Sequence, residues 1–229
     1  EAIRAEIDSP TYLAGLWHRT DAAMVDPARL AWGLQSAARS LGVVFHDNSP
    51  VCSIKRSGAG IEVQTDRGRV MADRAVVATN AYRRPLSRIR RHVIPVYDHV
   101  LMTEPLSTDQ WSAIGWGNRQ GLSDAGNQFH YYRRTADGRI LWGGYDIIYH
   151  FGGRVGPSVE HHAPTTRRLA QSFFHTFPQL GGLRFTHRWS GPIASTTRFT
   201  CAWGTTHAGR VSWAAGYPGL GVGASRFGA

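Results

Sequence analysis

Apolar and polar positions recur along the chain with two different periods. Ile3 and Ile7 stand at i, i+4 spacing ahead of a break at Ser9-Pro10. That pattern predicts an interrupted helix and loop over the first twenty or so residues. Asp26-Pro27 is a helix start signal, an N-cap acid followed by proline at the first helical position. Leu30, Leu34, Ala37, Ala38 and Leu41 then follow at helical spacing, and Gly42 ends the run. Val43-Val44-Phe45 and Val51 to Lys55 predict strands, Ile61 to Thr65 alternates at period two, Asp66-Arg67-Gly68 turns, and Arg69-Val70-Met71 returns. Ala75 to Thr79 is a short apolar strand that ends in a loop at Asn80-Ala81-Tyr82.

A second stretch begins near residue 85. Val93 to Glu104 predicts a longer strand, and Asp109-Gln110-Trp111 a short helical turn. Phe129 to Arg134 alternates, with Phe129, Tyr131 and Arg133 on one face and His130, Tyr132 and Arg134 on the other. A turn at Asp137-Gly138 pairs this strand with Arg139 to Trp142. Gly143-Gly144 then lets the backbone bend or a ligand approach. Leu169, Phe173 and Phe177 fall at helical spacing before Pro178, and Leu183 to Trp189 and Ile193 to Thr197 predict two more strands.

The third stretch is the most informative. Val211 to Ala215 predicts a buried strand, Gly216, Gly219, Gly221 and Gly223 follow, and Ala224, Ser225 and Phe227 begin a helix. A strand, a glycine turn and a helix start present free N–H groups and a positive dipole end to an anionic ligand group. An ordinary glycine-rich connection has the same composition. The order of elements predicts a first unit, an antiparallel sheet, and a return of the chain to the first unit: residues 1–84, 85–200 and 201–229.

Composition narrows the function classes. The 229 residues are 42% hydrophobic and 18% charged, which are globular values. No apolar run approaches the roughly 18 residues of a membrane span. The chain opens on charged residues with no signal-peptide pattern. Cys52 and Cys201 make neither a disulfide framework nor a metal motif, and the expected setting is cytoplasmic. The net charge of +10 comes almost wholly from scattered arginine, Lys55 being the one lysine, with a local cluster at Arg83, Arg84, Arg88, Arg90 and Arg91. There is no basic tail or nucleic-acid motif, so an anionic small ligand accounts for the charge as well as a nucleic acid does.

Several stretches together resemble the FAD-dependent oxidoreductases of the D-amino-acid oxidase type, in particular their glycine/sarcosine and γ-glutamylputrescine oxidase branch. They include Val25-Asp26-Pro27 with Leu30, Ala78-Thr79-Asn80-Ala81-Tyr82, Pro95-Val96-Tyr97, and Thr103-Glu104-Pro105-Leu106. Tyr131-Tyr132-Arg133, Gly138 to Gly144, Trp189 with Gly191-Pro192-Ile193, and Ala215 to Gly223 complete the set. The resemblance implies a mixed α+β and α/β fold. One part would be a partial FAD-binding domain, Rossmann-like and of the glutathione-reductase type, lacking its first βαβ unit. The other would be an antiparallel-sheet substrate domain. FAD would be the cofactor, with Val51 at the adenine, Ala78, Thr79 and Asn80 near the pyrophosphate and ribityl chain, and Gly216, Gly219, Leu220, Gly221 and Val222 at the pyrimidine end of the ring.

The implied reaction moves hydride from the carbon of a C–N bond to flavin N5, after which the imine hydrolyses. Tyr131 and Arg133 would hold a substrate carboxylate, the alternative being a packed tyrosine and an exposed strand arginine, and Trp142 with Tyr145 would line the pocket, although aromatics beside a Gly-Gly turn more often belong to the core. The expected partner is a small amine or amino acid, with no nucleic acid and no membrane, and with a partner chain or an N-terminal segment supplying the absent unit. No lysine matches the family lysine that assists oxygen, so oxidase and dehydrogenase chemistry both stay open. An FAD-free, inactive fragment and a basic nucleic-acid- or anion-binding protein are the alternatives.

Overall fold

The computed structural model describes residues 2–82, 86–144 and 146–228. In chain order, α1 (Ala2–Glu6) and α2 (Pro27–Ser40) precede β1 (Val51–Ser57), β2 (Gly60–Thr65), β3 (Arg69–Ala72) and β4 (Ala75–Val77). Next come α3 (Ser87–Arg90), β5 (Ile94–Thr103), α4 (Thr108–Ile114), β6 (Leu122–Ser123), β7 (His130–Arg134) and β8 (Ile140–Gly144). The chain ends with α5 (Ala163–Thr176), β9 (Phe185–Ser195), β10 (Ala202–Thr206), β11 (Val211–Ala215) and α6 (Gly221–Gly228). Arg83, Arg84 and Tyr145 lie outside the described residues.

The chain divides into two compact units. The first comprises residues 1–31, 98–148 and 157–191, and the second residues 32–97, 149–156 and 192–229. These edges differ from the expected 1–84, 85–200 and 201–229 for packing reasons. Ile7 is 2% exposed within the core of the first unit, and the Asp8 N–H donates to the Ile114 carbonyl at 2.8 Å. The N-terminal residues therefore belong with that unit. Leu86, Ile89 and Val93 pack with Val77 and Val211 in the second unit, which carries residues 86–97 to it.

The first unit holds a five-stranded sheet in the order β6-β7-β8-β5-β9. β7 and β8 form the hairpin expected from the alternation, with Tyr132 opposite Trp142 and Tyr131 opposite Gly143. α5 starts where His162 accepts the Thr165 N–H and Pro164 occupies the first turn. It buries Leu169 and Phe173. Trp142 packs on Tyr132 and Phe173 at ring distances of 4.4 and 5.5 Å, with Phe177 and Trp116 completing an aromatic core. Tyr12 and Tyr132 share a hydroxyl–hydroxyl hydrogen bond. Burial, with Asp124 adding, raises the Tyr132 pKa to about 12 against the lowering effect of that bond. α4 is closed by a Ser107–Gln110 capping box and by Gly115 at φ 65°.

The second unit contains the meander β1-β2-β3 and a second sheet, β10-β11-β4. Ile61 of the meander packs with Val77, Val211, Trp213 and Ala215 of the second sheet. β11 and β4 are parallel, so the segments that follow both strands leave from the same edge.

Three expectations change. Val43–Phe45 joins no strand ladder, and Val43 and Val44 are exposed. β9 is one continuous strand where two were expected. β10 was not anticipated, because Ala202-Trp203-Gly204 lacks an apolar run; Gly204 there lies against the Trp213 indole, and an added Cβ would be 2.7 Å from it.

Candidate functional site

At the carboxyl edge of the parallel pair, Ala78 and Thr79 are exposed after β4, and Asn80 follows at φ 48°. Left-handed backbone is tolerable for asparagine and rare for bulkier residues. The Asn80 side-chain oxygen accepts the Gly216 N–H at 3.2 Å, which ties the two segments together. Gly216 has φ 79°, and a Cβ there would stand 2.3 Å from the Thr196 methyl group. Thr196 is itself fixed by its hydroxyl donating to the Thr200 carbonyl at 2.7 Å. Only glycine fits this position.

Gly219 follows at φ 84°, and a Cβ on it would meet nothing within 4 Å. The first intrahelical bond of α6 that includes this turn runs from the Ala224 N–H to the Leu220 carbonyl. The preceding N–H groups of Gly221, Val222 and Gly223 thus lack helical partners, as at any helix start. Leu220 and Val222 are exposed beside them. The result is an open backbone cradle with donors and a positive dipole end, suited to a large flat group bearing partial negative charge. Val51 lies apart from this cradle, at the start of β1 on the meander of the same unit, where the register shifts between Val51 and Ser53.

The first unit offers a different surface. Alternation puts Tyr132 and Trp142 on the side of the sheet that packs on α5, and Tyr131, Arg133 and Gly143 on the other. Trp142, expected on the substrate side, is therefore 0% exposed in the aromatic core, on the face opposite Tyr131. Gly143, expected to admit a bend or a ligand, instead admits Tyr131: an added Cβ would lie 2.5 Å from the ring. With no side chain in the way, the phenol reaches across β8 and donates to the Asp98 carboxylate on β5 at 2.6 Å. Asp98 also accepts the His99 N–H at 2.9 Å and a backbone N–H from Gly144. Burial raises the Asp98 pKa, and the Tyr131 and backbone hydrogen bonds oppose the rise. Burial also raises the Tyr131 pKa, helped by the Asp98 charge and by the hydrogen bond to it. The hydroxyl therefore stays protonated as the donor. Arg133 donates to the Val25 carbonyl, a neutral partner, so its charge is not cancelled there.

Asp98 is the residue the sequence reading missed. A signal was present: it is the lone carboxylate in the run Val96 to Met102, on the face it shares with Val100 and Met102. Among the described residues there is no cluster of histidine, cysteine and acidic side chains able to hold a metal, and no helix is long and apolar enough to cross a membrane. Cys52 and Cys201 are free thiols.

Comparison with known proteins places the chain in a family. A family model described as FAD dependent oxidoreductase (DAO) matches residues 1–229. The chain belongs to that family. The probable oxidoreductase OrdL of Haemophilus influenzae is 29% identical over 229 residues, covering 96% of this chain and 48% of that protein. The gamma-glutamylputrescine oxidoreductase of Escherichia coli is 30% identical over 223 residues, covering 96% and 49%. The chain thus spans about half the length of the curated relatives it matches. Among solved structures, the L-proline dehydrogenase of P. horikoshii matches with a TM-score of 0.69 at 21% identity, covering 86% of this chain and 51% of that one. The glycine oxidase of Geobacillus kaustophilus matches at 0.66 and 21%, covering 84% and 49%. The fold is that of the DAO-type oxidoreductases, whose cofactor is FAD.

The open Gly219 and the unpaired first-turn donors of α6 fit such a cofactor without displacing any side chain. The edge joins Asn80 directly to Gly216, with Ala78 and Thr79 preceding the one and Gly219 to Val222 following the other in the chain.

Proposed function

We propose that this chain provides a cofactor-binding edge and a substrate-binding sheet face of an FAD-dependent oxidoreductase that acts on the C–N bond of a small amine or amino acid. The observation that carries this reading is the Asn80–Gly216 clasp leading into the open N–H end of α6. FAD, when bound, supplies the hydride acceptance that no side chain of the twenty amino acids can perform.

The residues have separable roles in this reading. The N–H groups at the start of α6, through Gly221 and Val222, stabilise negative charge on the ring system, assisted by the helix dipole, while Gly219, whose own N–H donates to the Tyr217 carbonyl at 2.9 Å, leaves room for the ring by carrying no side chain. Asn80 holds the glycine turn at fixed distance from β4, and Ala78 and Thr79 offer exposed backbone next to it. Val51 serves the adenosine end. On the sheet face, Arg133 binds a substrate carboxylate in fork geometry, and Tyr131 orients the bound molecule. Trp142 supports that face from beneath and does not touch substrate. The imine product hydrolyses in water. The names of the solved structures include both an oxidase and a dehydrogenase, so this reading leaves the electron acceptor open.

The test is anaerobic mixing of the purified chain, FAD and a panel of primary and secondary amines and amino acids. Bleaching of the flavin absorbance that depends on both chain and amine is expected. A chain that binds FAD but bleaches it with none of the panel contradicts the reading. Arg133→Met is expected to raise KM for carboxylate-bearing amines about tenfold or more, and to spare amines that lack the carboxylate.

A further inference from the structure

We propose that Asp98 and Tyr131 together recognise a protonated amino group, so that the substrate carries an ammonium as well as the C–N bond that is oxidised. The reaction in this statement rests on the reading above; the ammonium recognition rests on the sheet face itself.

Asp98 is a half-buried carboxylate between Tyr97 and His99, on the same strand face as Val100 and Met102. Its described hydrogen-bond donors are the Tyr131 hydroxyl and the backbone N–H groups of His99 and Gly144, all neutral. Among the described residues no arginine, lysine or histidine forms an ion pair with it, although the chain carries 26 lysine and arginine residues and a net charge of +10. A half-buried carboxylate held by neutral donors is short of compensating charge, and the raised pKa records the same shortage. An ammonium supplies that charge together with donors for the lone pairs still open. Tyr131 contributes in two ways. Its hydroxyl fixes the carboxylate, and its ring passes directly over Gly143, where an added Cβ would lie 2.5 Å from it, so an aromatic ring stands beside the carboxylate that a cation would approach.

The placement of Arg133 adds selectivity. It lies two residues from Tyr131 on the same face of β7, roughly 7 Å along the strand. The face therefore offers one anion and one cation at separate points, which matches a substrate with charges of both signs. An arginine-rich chain repels a bare amine at long range. A local carboxylate is what allows it to select one at contact.

Asp98→Asn removes the charge and keeps one acceptor: the amide oxygen can take the Tyr131 hydrogen bond now accepted by Oδ2, while the His99 N–H loses the Oδ1 it donates to. The experiment titrates the full chain, without FAD, with butylammonium and with butyrate, and follows the amide NMR signals of His99 and Gly144, both of which donate to Asp98. The expected result is saturable shifts with butylammonium that Asp98→Asn weakens about tenfold or more, and no such shifts with butyrate. Tyr131→Phe is expected to keep the preference for ammonium and to lower the affinity severalfold. Equal response to the two probes, unchanged binding by folded Asp98→Asn, or unchanged affinity in Tyr131→Phe each overturns the proposal. A parallel FAD titration separates the two claims. Flavin binding without ammonium preference sinks this inference alone, and ammonium preference without flavin binding sinks only the cofactor reading.

Discussion

The two units bury their apolar residues to very different extents. In the unit with the five-stranded sheet, Trp142, Trp116, Phe173 and Phe177 are all within 1% of complete burial, and α5 lies over them on a buried stripe. In the other unit the meander and the β10-β11-β4 sheet share a smaller core, while Val76 on β4 is 74% exposed and Phe227 on α6 89%. α2, whose C-terminal part falls in this unit, buries no residue at all, and Leu34 on it is 64% exposed. Helical spacing of leucines thus specifies an amphipathic helix without specifying what covers it. The unit with the dense aromatic core is held by packing. The unit with the open glycine edge is held more by backbone geometry. Substitutions should affect each accordingly.

The largest effect is expected at Trp142. Trp142→Ala removes the centre of the aromatic core and should cost about 3–5 kcal/mol in chemical denaturation followed by fluorescence. A loss below about 1 kcal/mol would mean that the core is not what holds that unit. Gly216→Ala is the counterpart in the other unit. Its positive φ and the Thr196 methyl group 2.3 Å from the added Cβ should cost about 1–3 kcal/mol, and amide exchange should accelerate along β4 and β11 but not in α5. Gly143→Ala should cost a similar amount or less, about 1–3 kcal/mol, by lifting Tyr131 from Asp98. Near-UV dichroism of the tyrosines reports that displacement, while FAD binding should not change.

Two smaller effects depend on pH and have opposite signs. Asp98 has a folded-state pKa above the ordinary aspartate value of 3.8, so the folded chain holds that proton more tightly than the unfolded one. Stability therefore falls as pH rises through the window above 3.8, and Asp98→Asn should remove that slope. Glu104 behaves in the opposite way. Its exposed carboxyl is held low mainly by the Arg184 side chain, with the Arg184 N–H helping. Its contribution is present above the ordinary glutamate value of 4.5 and is lost as pH falls through the lowered one. Solvent screens this pair, so Glu104→Gln should produce the smallest change of the set, and added salt should abolish it.

Local chemistry made most of the elements legible in the sequence. Asp26-Pro27 starts α2, with the Asp26 carboxylate accepting the Ala28 and Arg29 N–H groups. The alternation from Phe129 to Trp142 gives the hairpin, and Val211 to Gly221 gives the strand and glycine turn. Long-range effects were not legible. β10 forms because it pairs with β11, not because of its own pattern. Val43–Phe45 has strand-like residues and no ladder. At the site, the glycine edge could be anticipated because its residues are close in sequence. The Asp98–Tyr131 pair joins residues 33 apart across an intervening strand, and only the missing side chain at Gly143 lets them meet. Trp142 sits beside a glycine pair, a placement compatible with either a pocket or the core, and it is buried in the core. Its own alternation with Gly143 already puts it on the other face.

The decisive question is whether the edge formed by Asn80, Gly216 and the start of α6 receives the cofactor. Amide hydrogen exchange of the full chain with and without FAD tests it most directly. FAD-dependent protection is expected to concentrate in residues 78–80 and 216–223, with the α5 core unchanged. Protection elsewhere, or none in a chain that is folded by the same measurement, would contradict it.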